Sequence, residues 1–192
     1  MARIQVPAAR ATFSESSEGL LITIPANKNW FAILFLGFWL AIWLSGEVSV
    51  SRELIPGHSI NRAHLRPHRE FGEQLFLVAW LVLWSVGGAI AVTSLLWNLA
   101  GVEKVLLGAS TLTTKREVQG IGPTKEYELP SMSNLRISAG TRPSNNRLSP
   151  FEILSGGTIA FDYGARTFRF GIGLDEAEAQ QVIDQLKSRH AF

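Results

Sequence analysis

Two runs of apolar residues dominate the pattern along this chain. The first, from Trp30 to Leu44, extends with weaker character to Val50; the second, from Leu75 to Leu99, contains no charged residue. A spanning helix needs about 20 predominantly apolar residues to cross roughly 30 Å of hydrocarbon. The pattern therefore predicts a transmembrane hairpin, with helices over 29–50 and 71–100 and a polar connecting loop over 51–70. That loop carries Pro56, Gly57 and Pro67, which favour irregular backbone.

Outside the two runs the period shortens. Gly19 to Pro25 (GLLITIP) is β-branched, apolar and ended by proline, and predicts a strand within an otherwise polar N-terminal segment, 1–28. Beyond Leu99, residues 103–109, 111–118, 125–129 and 134–138 are further strand candidates, with a turn at Gly120 to Pro123. Residues 158–162 and 167–172 form a hairpin pattern around Tyr163 to Arg166. A helix is predicted over 175–189: Asp175 can cap it with Glu178 three residues on. Ala179, Val182, Ile183 and Leu186 recur at helical spacing. The fold class expected is thus an α+β membrane protein, a two-helix hairpin followed over 101–192 by a small antiparallel β domain with a C-terminal amphipathic helix.

Composition narrows the chemistry. A formal net charge of +2 without a long basic run argues against nucleic acid as a partner. The absence of cysteine removes disulfides, thiolate metal sites and Cys nucleophiles. The first 28 residues hold Arg3, Arg10, Glu15, Glu18 and Lys28 and no apolar core, so a cleaved signal peptide is not expected. Lys and Arg are nearly balanced between the two sides of the hairpin (Arg3, Arg10, Lys28 and Lys104 against Arg52, Arg62, Arg66 and Arg69), and the positive-inside rule discriminates little. Both termini are placed in the cytoplasm because nothing in the tail suggests export.

Two stretches carry a resemblance. Residues 157–189 (GTIAFDYGARTFRFGIGLDEAEAQQVIDQLKSR) and 19–40 (GLLITIPANKNWFAILFLGFWL) resemble bacterial two-span membrane proteins with a pleckstrin-homology-like domain. The resemblance implies a fold rather than an activity, with the first strand at Gly19 to Pro25 and the hairpin inserted after it. Lipid-binding members of that superfamily hold inositol phosphates around the loop joining their first two strands. Here that connection is the hairpin itself, flanked by Lys28 and Lys104. A looser likeness, in architecture and in Leu96-Trp97-Asn98, is to a photosystem I assembly factor of thylakoids.

Candidate chemistry is sparse. His58, His64 and His68 in the loop are the only metal-like cluster, and spacings of six and four match no established zinc pattern. All six tryptophans fall in or beside the spans. Trp30 and Trp97 suit interfacial belts. Trp39 and Trp43, and Trp80 and Trp84, each cover one helix face. Gly87, Gly88 and Ala91 belong to a small-residue flank of the second span that permits close packing, on Gly37 and Ala41 of the first or on another protein. Neither span contains His, so axial ligation of haem or chlorophyll is not expected. No ionisable residue lies mid-membrane, as a pore or transporter would normally need. Gly-x-Gly at 120–122 and 171–173 completes no phosphate-binding fingerprint. The arginines of the tail, interspersed with acids, read as a solubilising surface.

These observations predict a non-enzymatic integral membrane protein of the inner membrane, without cofactor. It would act as an accessory subunit or assembly factor contacting the lipid bilayer and another membrane protein. The alternative is a membrane-anchored sensor of anionic lipid headgroups using Lys28, Lys104, Lys115 and Arg116.

Overall fold

A computed structural model of the chain describes residues 10–54, 71–138 and 156–192. The loop histidines His58, His64 and His68 lie outside the described residues. Two helices dominate one end. α1 (Trp30–Leu54) and α2 (Phe71–Ala100) pack along each other, and both are long and apolar enough to cross a membrane. Their apolar windows are mostly exposed, unlike the core helix of a soluble protein. α1 runs four residues beyond the predicted boundary at Val50, because Ser51 to Leu54 contain no helix breaker before Pro56.

At the other end the described residues form eight strands in two antiparallel sheets. The larger has the order β1-β2-β3-β4-β5, from β1 (Thr12–Ser16), β2 (Gly19–Pro25), β3 (Gly101–Leu107), β4 (Thr111–Val118) and β5 (Thr124–Glu128). The smaller has the order β6-β7-β8, from β6 (Met132–Ile137), β7 (Ile159–Tyr163) and β8 (Arg166–Phe170). A helix, α3 (Glu176–Lys187), closes the chain. The strands β2 and β4 and the helix α2 fall where the pattern puts them, and the other predicted strands shift by one or two residues. β1 is the addition: TFSES is largely polar and exposed, and it exists as a strand by pairing at the edge of the sheet with β2.

The hairpin is an insertion into the larger sheet. β2 leads into α1, α2 runs directly into β3, and the two strands then pair, Leu20 opposite Leu107 and Pro25 opposite Val102. Alternation aims Leu20, Ile22 and Ile24 of β2, and Val105 and Leu107 of β3, into one core with Leu112, Tyr127, Phe161, Phe170 and the apolar stripe of α3. Aromatic rings fill the space between the sheets, Tyr127 meeting Phe161 edge-on at 4.9 Å between centroids.

α3 is fastened at both ends. Asp175 and Glu178 form the expected capping box. Glu178 also accepts from the backbone and side chain of Arg10, a link across 168 residues that the spacing did not reveal. Burial opposes ionisation of Glu178, but the Arg10 hydrogen bonds and the Asp175 N–H outweigh it and hold its carboxyl below the usual range. At the other end Arg189 pairs with Glu15 of β1.

One inward position of β3 is charged. Glu103 is 1% exposed; Arg116, directly opposite on β4, donates to its Oε1 at 3.0 Å, and the N–H groups of Gly171 and Ile172 donate to Oε2 at 2.7 and 2.9 Å. Arg116 in turn donates to the carbonyls of Gly156 and Arg169. This clamp joins the strand leaving α2 to the second sheet, so Arg116 is structural rather than part of a solvated surface. Removing one partner of a buried pair costs far more than removing an exposed one. Glu103→Ala should destabilise the β domain by about 3–5 kcal/mol, whereas Glu15→Ala, at the exposed pair with Arg189, should cost under about 1 kcal/mol. Denaturant titration of the full chain in detergent, read by hydrogen exchange of the β-strand amides, distinguishes the two.

Candidate membrane and partner interface

The hairpin is closed by two reciprocal insertions. The Trp43 ring of α1 sits against Gly88 of α2, where an added Cβ would come within 2.2 Å of it. The Trp84 ring of α2 lies over Gly46 of α1, with 3.7 Å to an added Cβ. The same tryptophans tie the backbones: Trp43 Nε1 donates to the Trp84 carbonyl at 2.9 Å and Trp84 Nε1 to the Trp43 carbonyl at 3.5 Å. Trp39 and Trp80 complete the cluster against Trp84, at 6.2 and 5.4 Å between ring centroids. Ala32 and Leu36 on α1 and Ala91, Ser94 and Asn98 on α2 are buried along the helix pair.

Within the predicted packing set, the structure brings together Trp39, Trp43, Trp80, Trp84 and Gly88, and buries Ala91. Gly87 differs: one residue round the helix from Gly88, it has open space where a Cβ would be. Gly37 of α1 is likewise open, and Gly46, which sequence reasoning passed over, supplies the small position instead. The signal available was a glycine one turn after a tryptophan on each helix, Gly46 three after Trp43 and Gly88 four after Trp84. Trp97 also departs from the belt position expected of it: it is buried, its ring covering Gly101 where α2 becomes β3. Trp30 is exposed as a belt residue would be.

One ionisable group lies inside the apolar span. Glu47 sits 17 residues beyond Trp30, roughly 25 Å along the helix. It accepts from Ser85 Oγ at 2.7 Å, on the opposite helix. Its Oε2 is buried and has no hydrogen-bond partner among the described residues. Polar groups facing one another between spanning helices stabilise the pair because lipid offers no alternative partner.

The four cations grouped as a headgroup site do not form one cluster. Lys104 and Lys115, on the outer face of the larger sheet, converge on Glu117 at 2.5 and 2.7 Å. Their hydrogen bonds hold the Glu117 carboxyl below its usual range. Arg116 faces inward and is committed to Glu103. Lys28 stands apart and exposed, just before α1.

A different basic site emerges at the open corner between β5 and β8. A cleft of about 300 Å³ is lined by Thr114, Arg116, Lys125, Tyr127, Phe168 and Arg169 among others. Among the described residues its lining contains no carboxylate. Burial pushes the Tyr127 hydroxyl up from its ordinary pKa, so it is a neutral donor there. Farther along the smaller sheet Asp162 is held down to about 2 by Arg136, Thr167 and Asn134, and serves as an anchor for that pair of strands. The described residues contain no group of three or more His, Cys, Asp or Glu that could hold a metal. His190 of the tail stacks edge-on against Phe192.

Compared with protein-family models, curated proteins and solved structures, the chain matches none of them.

The open Gly37 provides an internal control for the hairpin. Gly88→Val must displace the Trp43 ring and should destabilise the helix pair by about 1–3 kcal/mol, while Gly37→Val, which meets nothing, should leave it unchanged. Thermal unfolding in detergent, followed through the tryptophan fluorescence, reads both.

Proposed function

We propose that this chain is a non-enzymatic integral membrane protein, an accessory subunit or assembly factor of a membrane protein complex. Its hairpin spans a bacterial inner membrane and holds a pleckstrin-homology-like domain at the surface, with both termini cytoplasmic. The strand order, with the hairpin inserted after β2 and a single helix after β8, supports that domain reading. The observation that carries the partner reading is on α1. The tryptophan interlock uses one face of that helix, and Gly37, Ala41 and Ser45, spaced four apart, remain exposed on another. Small residues at that spacing let a second helix approach closely, the geometry by which spans associate without a hydrophobic driving force.

A second reading is favoured by the cleft. Lys125 and Arg169 are both exposed beside it, and Thr114 and Tyr127 add hydroxyl donors. A cleft with cationic and hydroxyl lining suits the phosphate of an anionic lipid headgroup. In this reading Lys125 and Arg169 replace Lys104 and Lys115, whose charge Glu117 offsets.

Both readings answer to one experiment, native mass spectrometry of the full chain extracted in a mild detergent. The partner reading predicts a defined larger complex that Ala41→Leu dissociates while the hairpin's own thermal unfolding is unchanged. A bare monomer that retains anionic phospholipid, lost in a Lys125→Ser/Arg169→Ser double variant, would favour the headgroup reading instead. A lipid-free monomer would contradict both.

A further inference from the structure

Among the described residues, every large apolar side chain that is strongly exposed lies on α1 or α2, except one. Ile121 is 83% exposed, in the connection between β4 and β5. A lone exposed aliphatic residue is ordinarily unremarkable; the position of this one is what matters. β3 leaves α2 at Gly101 and runs away from the helices, and β4 runs back toward them, with Val118 opposite Gly101. The Ala26 N–H donates to the Gly101 carbonyl at 2.9 Å, so the end of β2 lies on the same line. Residues after Val118 therefore project past the point where the span ends, toward the apolar part of the molecule.

The projection is built stiffly. Val118 and Ile121 exchange both backbone hydrogen bonds, at 2.9 and 3.1 Å, closing a two-residue turn. Its central residues Gln119 and Gly120 have φ of 52° and 85°, as a type I′ hairpin turn requires. Lys115 Nζ donates to the Gly120 carbonyl at 3.0 Å, placing a cation beside the tip. Two residues of strand extend about 7 Å, and the headgroup layer on each side of the hydrocarbon is about 5–8 Å deep. A turn overshooting the end of the span by that distance reaches the boundary between headgroups and acyl chains.

We propose that the β4–β5 turn is a third membrane contact, in which Ile121 enters the headgroup–acyl boundary of the bilayer that holds the hairpin. The aliphatic tip supplies the apolar contact, and Lys115, its charge offset by Glu117, braces the turn through the Gly120 carbonyl. With α1 and α2 alone, the β domain could pivot about the two chain connections. A third point at the edge of the sheet fixes its tilt and sets the orientation in which the basic cleft meets the membrane. This rests on the membrane reading of the hairpin, and the test separates the two.

Because the chain has no cysteine, single cysteines report cleanly. Three variants suffice: Ile121→Cys at the turn, Ala109→Cys in the β3–β4 turn at the far end of the sheet, and Leu83→Cys on the exposed face of α2. Each is spin-labelled in the full chain, reconstituted into phosphatidylcholine–phosphatidylglycerol vesicles, and probed by power saturation with oxygen and a water-soluble nickel complex. The expected result is a label at 83 deep in the bilayer, one at 121 at the interface with nickel accessibility several-fold below that at 109, and one at 109 in water. Equal nickel accessibility at 121 and 109, with 83 deep, would overturn the third contact alone. An aqueous label at 83 would overturn the membrane reading and the third contact with it.

Discussion

The carboxylate of Glu103 lies three residues beyond the end of α2, on the inward face of a strand, and three donors converge on it. Taking a charge out of water is costly, and that cost is offset only when the charge is paired and its remaining lone pairs are filled. Arg116 fills one oxygen; the Gly171 and Ile172 N–H groups fill the other. Those donors come from β4 and from the segment between β8 and α3. The group can be satisfied only when the strand leaving α2, its sheet neighbour and the end of the second sheet are assembled together. The hairpin, the two sheets and the start of α3 thereby share one constraint. The cleft between β5 and β8 depends on it directly, because Arg116 is both a clamp residue and part of the cleft wall.

The hairpin solves a different problem. Between apolar helices the hydrophobic effect offers little discrimination, so shape and residual polarity must set the pairing. Two tryptophans, each seated on a glycine of the facing helix, set the register. The Ser85–Glu47 hydrogen bond adds polar specificity near the far end. Concentrating the bulky groups on one face leaves other faces of the helix pair exposed, and leaves α1 with a line of small residues at Gly37, Ala41 and Ser45. Division of labour within one helix is the physical basis of the accessory reading: the tryptophans hold the chain to itself, and the small residues remain for something else.

Much of this was legible along the chain. The apolar runs marked both long helices, the bounds of β2 and α2 coincided with the pattern, and Asp175 with Glu178 announced the start of α3. What stayed hidden depended on contacts between distant positions. β1 carries little apolar signal because it is an exposed edge strand. The link from Arg10 to Glu178 spans nearly the whole chain. The role of Glu103 was visible only in outline: Glu103, Val105 and Leu107 share one strand face, and a carboxylate in that series signals a buried partner. The basic residues misled for a related reason. Lys115 and Arg116 are neighbours in sequence, but successive residues of a strand point to opposite faces. A cluster on paper became two separate sites, and Lys125 and Arg169, 44 residues apart, were brought to one cleft.

The claim on which all of this turns is that α1 and α2 cross a membrane as a closed hairpin, with the β domain wholly on one side. Cysteine accessibility in intact and permeabilised spheroplasts tests it most directly, using Ser59→Cys in the connecting segment and Ser17→Cys in the β1–β2 turn with a membrane-impermeant maleimide. The account predicts that position 59 reacts in intact spheroplasts and position 17 only after permeabilisation. Both positions reacting from the same side would contradict it.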